Sequence, residues 1–430
     1  LSLDKIFKIS DRMKKIEKPR GTRDFSIGDM EKREYSERII SEIFENYGYR
    51  KIQTPTLEYA ELFQLKSGEE IQKHMYVFED KKGRRLCLRP EATASVCRMF
   101  SEKLRSLPRP IKLYYHGPMF RYEEPQKGRY REFWHLGLEL IGPSGPESDA
   151  EVISIAYESL RRLGLEFKIE IGHLGIIRGL LKDLGIKEDI QNKIIASIDK
   201  GDIEGLKKLI RDGLLFDLIK LKGDKGVIDK ANSLLGDHEK SIKALNELRE
   251  IISLLDLMKL EYSLNLGIVR GLDYYTGMVF EIRVKELGAQ DQICGGGRYD
   301  ELIGLFSGIS VPAVGFAFGF DRVMEAMELQ GIEIPKKQVD AVVAPVSKEV
   351  RNDALKIASE LRKNFIVDFD LMNRKLGKIL EYASDIDARY VVIVGKRDLE
   401  NDKVTVRDMK SGEQKIVEIK RIEDILKSDK

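Results

Sequence analysis

Several stretches of this sequence crowd together groups that could do chemistry. Residues 270–281 read RGLDYYTGMVFE, placing an arginine, an aspartate and two adjacent tyrosines just before an apolar run. A loop that only had to turn would manage with Gly, Asn or Pro. Residues 120–142 read FRYEEPQKGRYREFWHLGLELIG. Arg121 and Glu123 alternate with Phe120 and Tyr122, as on a strand with one polar face. PQKGRYR forms a basic, glycine-containing tip, and a return strand carries His135, Gly137 and Glu139 on one face. An arginine fork donates two parallel hydrogen bonds to a phosphate, and Lys127, Arg129 and Arg131 can hold RNA backbone or nucleotide phosphates. Equally, the segment reads as a solvated hairpin with a soluble tip.

In LRPEATAS, Glu91 and Thr93 stand at the start of a helix. They suit an ammonium group, and they equally suit ordinary capping. In CGGGRYD (294–300), three consecutive glycines fit a backbone that closely approaches a ligand, or a structural turn. AVGFAFGFDRV (313–323) alternates small and aromatic residues before Arg322, near a helix start. That leaves room for a flat group against the strand, or for tight strand packing.

These groups need a scaffold. EKREYSERIISEIFENYGY puts Tyr35, Ile39, Ile40, Ile43, Phe44 and Tyr47 on one helical face. Pro55, inside the extended KIQTPTLEY, belongs at an edge, a bulge or an interface. From about 172 to 260 aromatics nearly vanish, and Leu245, Leu248, Ile252 and Leu255 keep a helical stripe. This predicts a helical insertion. Residues 264–328 return to strands and glycine-rich turns, with a helix from about Asp321, so the outer pieces read as one split domain. After GIEIPKKQ, strand and helix alternate, which predicts a small α/β domain with a largely parallel sheet, ending in a hairpin and a short helix. The expected divisions are an N-terminal extension (1–18), a split domain (19–171 and 261–330), an insertion (172–260) and a C-terminal domain (335–430).

The chain has 430 residues, 42% hydrophobic and 34% charged, which is enough for a large core under a charged surface. The formal net charge is only +2, so any footprint for nucleic acid must be local. Cys87, Cys97 and Cys294 make no C-x-x-C pair, which argues against zinc and a disulfide framework. The first residues break their apolar positions with charges, unlike a secretory leader. No run reaches the roughly 18 apolar residues of a membrane helix. The expectation is a cytoplasmic protein.

Taken in this order, Pro55 after the long helix, FRYE at 120–123 and AFGFDR at 317–322 resemble the three signatures of class II aminoacyl-tRNA synthetases. RGLDYY and CGGGRYD narrow the resemblance to the histidyl-tRNA synthetases, from PRGTRDF at 19–25 to the C-terminal domain. The resemblance implies an α+β catalytic domain, an antiparallel sheet flanked by helices, with a helical insertion and a C-terminal α/β anticodon-binding domain. It implies a homodimer with Pro55 near the interface. It also implies a two-step reaction, in which histidine and ATP give histidyl-adenylate and pyrophosphate, and histidine then passes to the 3′ end of tRNA-His. Mg²⁺ comes with the ATP, and no zinc or prosthetic group is expected.

By the same resemblance, Arg121 contacts the α-phosphate and Arg270 bridges it to the substrate carboxylate from the opposite side. Arg322 holds the γ-phosphate end, Glu123 reads the adenine amino group and Phe133 stacks on the ring. Glu91, Thr93 and Glu139 hold the α-amino group, and Tyr275 and Tyr299 line the imidazole pocket. Gln126, Arg129 and Arg131 face the acceptor stem. Three positions depart from the family pattern. Ala92 replaces a frequent glycine. His135 stands for a substrate-binding glutamine. Glu124 replaces an arginine that many bacterial members use on tRNA. The rival readings are a non-catalytic regulatory paralogue, another class II synthetase such as a prolyl or threonyl enzyme, and a pure RNA-binding protein.

Overall fold

A computed structural model describes residues 17–64, 72–124, 129–210, 212–269 and 274–427. The chain divides at Ile334/Pro335 into two compact units.

The first unit opens with α1 (Ile27–Asn46). Its start is fixed by a capping box: the Asp29 N–H donates to Ser26 Oγ (3.3 Å), and the Ser26 N–H donates to Asp29 Oδ2 (2.8 Å). The helix therefore begins four residues before the periodic run EKREY. Ile40, Ile43 and Phe44 form its buried face. Exposed Pro55 lies between two short strands, β1 (Arg50–Lys51) and β2 (Leu57–Tyr59). Then come β3 (Val77–Glu79), β4 (Arg85–Leu88), α2 (Thr93–Met99), β5 (Ile111–Phe120), β6 (Glu132–Ile141), α3 (Pro146–Arg162) and β7 (Lys168–His173). Helices α4 (Leu174–Asp183), α5 (Glu188–Asp199), α6 (Ile203–Leu209), α7 (Gly213–Lys220), α8 (Gly226–Leu235) and α9 (Glu239–Leu257) follow, with β8 (Lys222–Gly223) among them. The unit ends with β9 (Ser263–Asn265), β10 (Met278–Arg283), β11 (Gln292–Arg298), α10 (Leu302–Ser307), β12 (Ala313–Gly319) and α11 (Phe320–Leu329).

One sheet dominates, in the order β1-β5-β6-β12-β11-β10-β7-β9-β8. The run from β5 through β6, β12, β11 and β10 to β7 is antiparallel throughout, while β1–β5 and β7–β9 are parallel. β2, β4 and β3 make a separate antiparallel sheet. Helix α9 packs on α3 and α4. Leu245, Leu248, Ile252 and Leu255 join the same buried core as the sheet residues Leu136, Leu138 and Phe280. Full burial of each such side chain is worth about 1.5–3 kcal/mol.

The strand expected to carry Arg121 and Glu123 stops short of them. β5 ends at Phe120: the Arg121 N–H still donates to Arg131 O (3.0 Å), the next pair in the β5–β6 register, but the Glu123 N–H then turns back to Arg121 O (2.9 Å). Alternating polarity cannot distinguish a strand from an extended loop whose hydrogen bonds go elsewhere. The three glycines 295–297 lie inside β11, between β10 and β12, rather than in a turn.

The second unit carries β13 (Ala341–Pro345), α12 (Arg351–Leu361), β14 (Val367–Phe369), α13 (Leu376–Asp385), β15 (Tyr390–Val394), β16 (Lys403–Asp408), β17 (Gln414–Glu418) and α14 (Ile422–Lys427). The sheet order is β14-β13-β15-β16-β17. The first three strands are parallel, and the hairpin adds two antiparallel ones. Among the described residues, no helix is long and apolar enough to cross a membrane.

Candidate active site

The central strands of the large sheet floor a cleft of about 460 Å³. Its walls are the loop after β5, the segment before β10, the turn before β11 and the start of α11. The floor is open because glycines face it. Gly315 on β12 pairs in register with Glu139 on β6 and with Gly297 on β11. A Cβ at Gly315 would overlap Glu139 Oε2 and the Leu138 carbonyl, and one at Gly137 would come within 2.7 Å of the Tyr115 hydroxyl.

At one end stands a buried polar cluster. Glu139, 1% exposed, accepts from Thr93 Oγ1 (2.8 Å) and from the Tyr115 hydroxyl (3.4 Å) on Oε1. Its Oε2 accepts from the Tyr299 hydroxyl. Burial pushes the Glu139 carboxyl up to about 8, against the lowering effect of the Tyr299 and Thr93 hydrogen bonds. Glu91, also buried, accepts from the backbone N–H of Thr93 (2.6 Å) and of Ala94 (3.0 Å). Glu91 satisfies the first N–H groups of α2, the capping reading of LRPEATAS, and it also lines the cleft. Burial raises the Glu91 pKa, and the nearby Arg121 opposes that shift. The Tyr274 ring leans on Tyr275 (4.9 Å between centroids) and Tyr299 (5.7 Å). Burial holds the Tyr115, Tyr274 and Tyr299 hydroxyls well above the usual phenol range, so they stay protonated and can donate.

The other end is cationic. Arg121 donates from Nε to the Pro90 carbonyl (3.1 Å), and its guanidinium lies 5.2 Å from the Phe133 ring centre. His135 packs edge-on against Phe133, with 5.2 Å between ring centres. Arg322 donates to the carbonyls of Gln290 and Gln292, and Arg129 Nε donates to Gln290 Oε1 (3.1 Å). Arg129 also pairs with Glu123 (3.5 Å). Burial lowers the pKa of Arg121 and of Arg322. Desolvated cations of this kind gain strongly from an anionic partner. Among the described residues, no group of three His, Cys, Asp or Glu side chains comes together to hold a metal ion.

The cleft brings together Glu91, Thr93, Glu139, His135, Tyr275 and Tyr299 with Arg121, Glu123, Phe133, Arg129 and Arg322. Arg131 lies outside it. Its stem packs on Gly21, its Nε donates to the Glu123 carbonyl (3.1 Å), and its guanidinium covers Tyr122 at 4.1 Å. Arg270 and Gln126 fall outside the described residues. Of the departures, Ala92 and His135 line the cleft, while Glu124 makes an exposed ion pair with Arg20 (3.4 Å). Lining residues that the sequence reading missed include Tyr115, Gln290, Arg283 and Asp321. Tyr115 could have been found, since the alternation in β5 puts it beside Gly137. Gln290 and Arg283 have no distinguishing sequence signal, and Asp321 reads as an ordinary acidic first-turn residue.

A family model described as histidyl-tRNA synthetase matches residues 21–323, and one described as anticodon binding domain matches residues 340–429. The chain belongs to the histidyl-tRNA synthetase family. A histidine–tRNA ligase of Methanocaldococcus jannaschii is 46% identical over 94% of this chain and 98% of its own length. One from Archaeoglobus fulgidus is 45% identical over 96% of this chain and its own full length, 100%. Among solved structures of the family, apo histidyl-tRNA synthetase of S. aureus superposes with a TM-score of 0.72 at 30% identity, covering 96% of this chain and 100% of that one. The enzyme from Nostoc sp. PCC 7120 superposes at 0.78 with 26% identity, covering 96% and 99%. The sheet flanked by helices and the C-terminal sheet-and-helix domain are thus the fold that the family resemblance implied.

Proposed function

We propose that this chain is an ATP-dependent histidine–tRNA ligase that makes histidyl-adenylate and then charges tRNA-His. The observation that carries the reading is the two-ended cleft. A buried cluster of carboxylates and hydroxyls suited to an amino acid adjoins a desolvated arginine set suited to phosphates, in a chain of this family.

In this reading Arg121 binds the α-phosphate, Arg322 the γ-phosphate end, Glu123 the adenine amino group and Phe133 the ring face. Negative charge that builds on the α-phosphate oxygens meets a fixed cation, which lowers the barrier. Arg270 supplies the opposing cation and bridges to the substrate carboxylate. Glu91, Thr93, His135 and Glu139 hold histidine, with Tyr275 and Tyr299 at the imidazole. Glu139 links the two ends of the amino acid, since it touches both Thr93 and Tyr299. A side-chain reader built from preplaced hydrogen-bonding groups rejects analogues by leaving those groups unpaired. ATP arrives with Mg²⁺ as its substrate complex.

Gln126, Arg129 and Arg131 serve the acceptor stem, and residues 335–430 serve the anticodon. Residues 19–171 and 261–330 form the catalytic domain, with 172–260 as its insertion and 1–18 as an extension. A homodimer fits the exposed apolar side chains Leu57, Tyr59, Val77 and Phe78 on the small sheet near Pro55. The cytoplasm is the compartment that such a reaction serves.

The test is ATP–pyrophosphate exchange without tRNA, with each standard amino acid in turn. Exchange with histidine alone is expected. Exchange with another amino acid would assign a different synthetase, and no exchange would favour a regulatory or binding-only protein.

A further inference from the structure

Next to Arg322 lies a carboxylate with an unusual set of partners. Asp321 is 7% exposed. Its Oδ1 accepts from Arg33 Nη1 (2.6 Å) on α1 and pairs with Arg23 Nη2 (2.7 Å) from the segment before α1. Its Oδ2 accepts the backbone N–H of Trp134 on β6 (2.7 Å). β12 pairs with β6 as far as Gly319–His135, so the Asp321 side chain takes up the N–H just beyond the end of that ladder. One side chain thus joins three segments distant in sequence. Trp134 sits between Phe133 and His135, and both of these line the cleft.

Two guanidiniums share this single carboxylate, and aromatic faces hold the surplus charge. Arg23 stacks 3.3 Å from the Tyr130 ring centre, and Arg33 lies 4.2 Å from that of Phe25. Asp321 also sits in the first turn of α11, so fixing it fixes the direction from which Arg322 enters the cleft.

We propose that Asp321 is a positioning residue for the nucleotide: it fixes Arg322 in one ATP-ready arrangement, with Arg23 and Arg33 as its counter-ions and the Trp134 N–H as its anchor on β6. This rests on the reading above, in which Arg322 contacts ATP. A merely structural ion pair would affect histidine and ATP alike. A positioning residue affects ATP selectively.

The experiment compares Asp321→Asn, Arg322→Ala and the double variant in histidine-dependent pyrophosphate exchange. Histidine affinity is measured separately by calorimetry without nucleotide. Asp321→Asn should raise KM for ATP by about tenfold or more, the effect of losing charged hydrogen bonds. Histidine affinity should stay within about twofold, and the double variant should be little worse than Arg322→Ala alone, because coupled residues are not additive. Equal loss of histidine binding, or fully additive effects, would overturn the proposal. If Arg322→Ala leaves KM for ATP unchanged, the nucleotide reading of Arg322 itself fails. If it raises KM while Asp321→Asn does not, only the positioning role fails. Should Asp321→Asn not fold, Arg23→Gln removes one partly exposed counter-ion and leaves Arg33 in place. It should give a smaller rise, again confined to ATP, and no such rise would overturn the proposal.

Discussion

The hydroxyl of Tyr299, the residue that follows β11, donates to Glu139 Oε2 across β12, which lies between β11 and β6 in the sheet. The bond passes over Gly315, where a side chain would block it. Removing the hydroxyl takes away a donor that orients a buried carboxylate. Tyr299→Phe should therefore raise KM for histidine by about tenfold. KM for ATP should stay nearly constant in pyrophosphate exchange, and preference for histidine over other amino acids should fall.

Gly315→Ala tests the floor directly. The new methyl group would meet Glu139 Oε2 and the Leu138 carbonyl, and the carbonyl belongs to a paired strand that cannot swing aside. The expected cost is about 1–3 kcal/mol of stability, read by denaturant melts. Loss of adenylation should exceed what that destabilisation explains, because the displaced group is Glu139.

The protonation of Glu139 gives a pH signature. Its carboxyl is raised from the ordinary 4.5 to about 8, chiefly by burial. Between those values the folded, empty protein keeps a proton that the unfolded chain has released. Stability should therefore fall as pH rises through this window, and Glu139→Gln should flatten the slope. In the proposed reading, an ammonium group bound at Glu139 favours the carboxylate form, so histidine binding below about pH 8 should expel a proton. Calorimetry in buffers of different ionisation enthalpy reads that proton, and Glu139→Gln should reduce it.

The two proposed phosphate cations should behave as transition-state groups. Arg121→Ala and Arg270→Ala should each lower the adenylation rate about a hundredfold or more. Each should leave tRNA affinity, measured by filter binding, within about twofold. A parallel loss of tRNA binding would assign these arginines to RNA instead.

Much of this arrangement was legible in residue order, for definite reasons. β6 alternates His135, Gly137 and Glu139 on one face, and that alternation survives in the sheet register with Gly319, Ala317 and Gly315. The C-terminal strands and helices declare themselves by switching period. Legibility failed where hydrogen bonds cross between segments. Nothing local shows that the Arg131 N–H would donate to Gly21 O, or that its side chain would turn onto Gly21 and Tyr122. Asp321 was hidden for the same reason: its partners lie at residues 23, 33 and 134. The start of α1 was present in the sequence as Ser26 and Asp29, a capping signature that hydrophobic periodicity overlooks.

Glu91 occupies the first N–H groups of α2 from outside the helix, while Ala92, at the capping position, offers no acceptor of its own. This closes an ordinary route to a sturdier protein. An engineer seeking thermostability would install Ser or Asp at residue 92, a change commonly worth about 1 kcal/mol elsewhere. Here that side chain would compete with Glu91 for the same amides and free it to rotate away from the cleft. In the proposed reading the helix start is held by the very group that takes the substrate's ammonium, so hardening the scaffold at this point should blunt the enzyme.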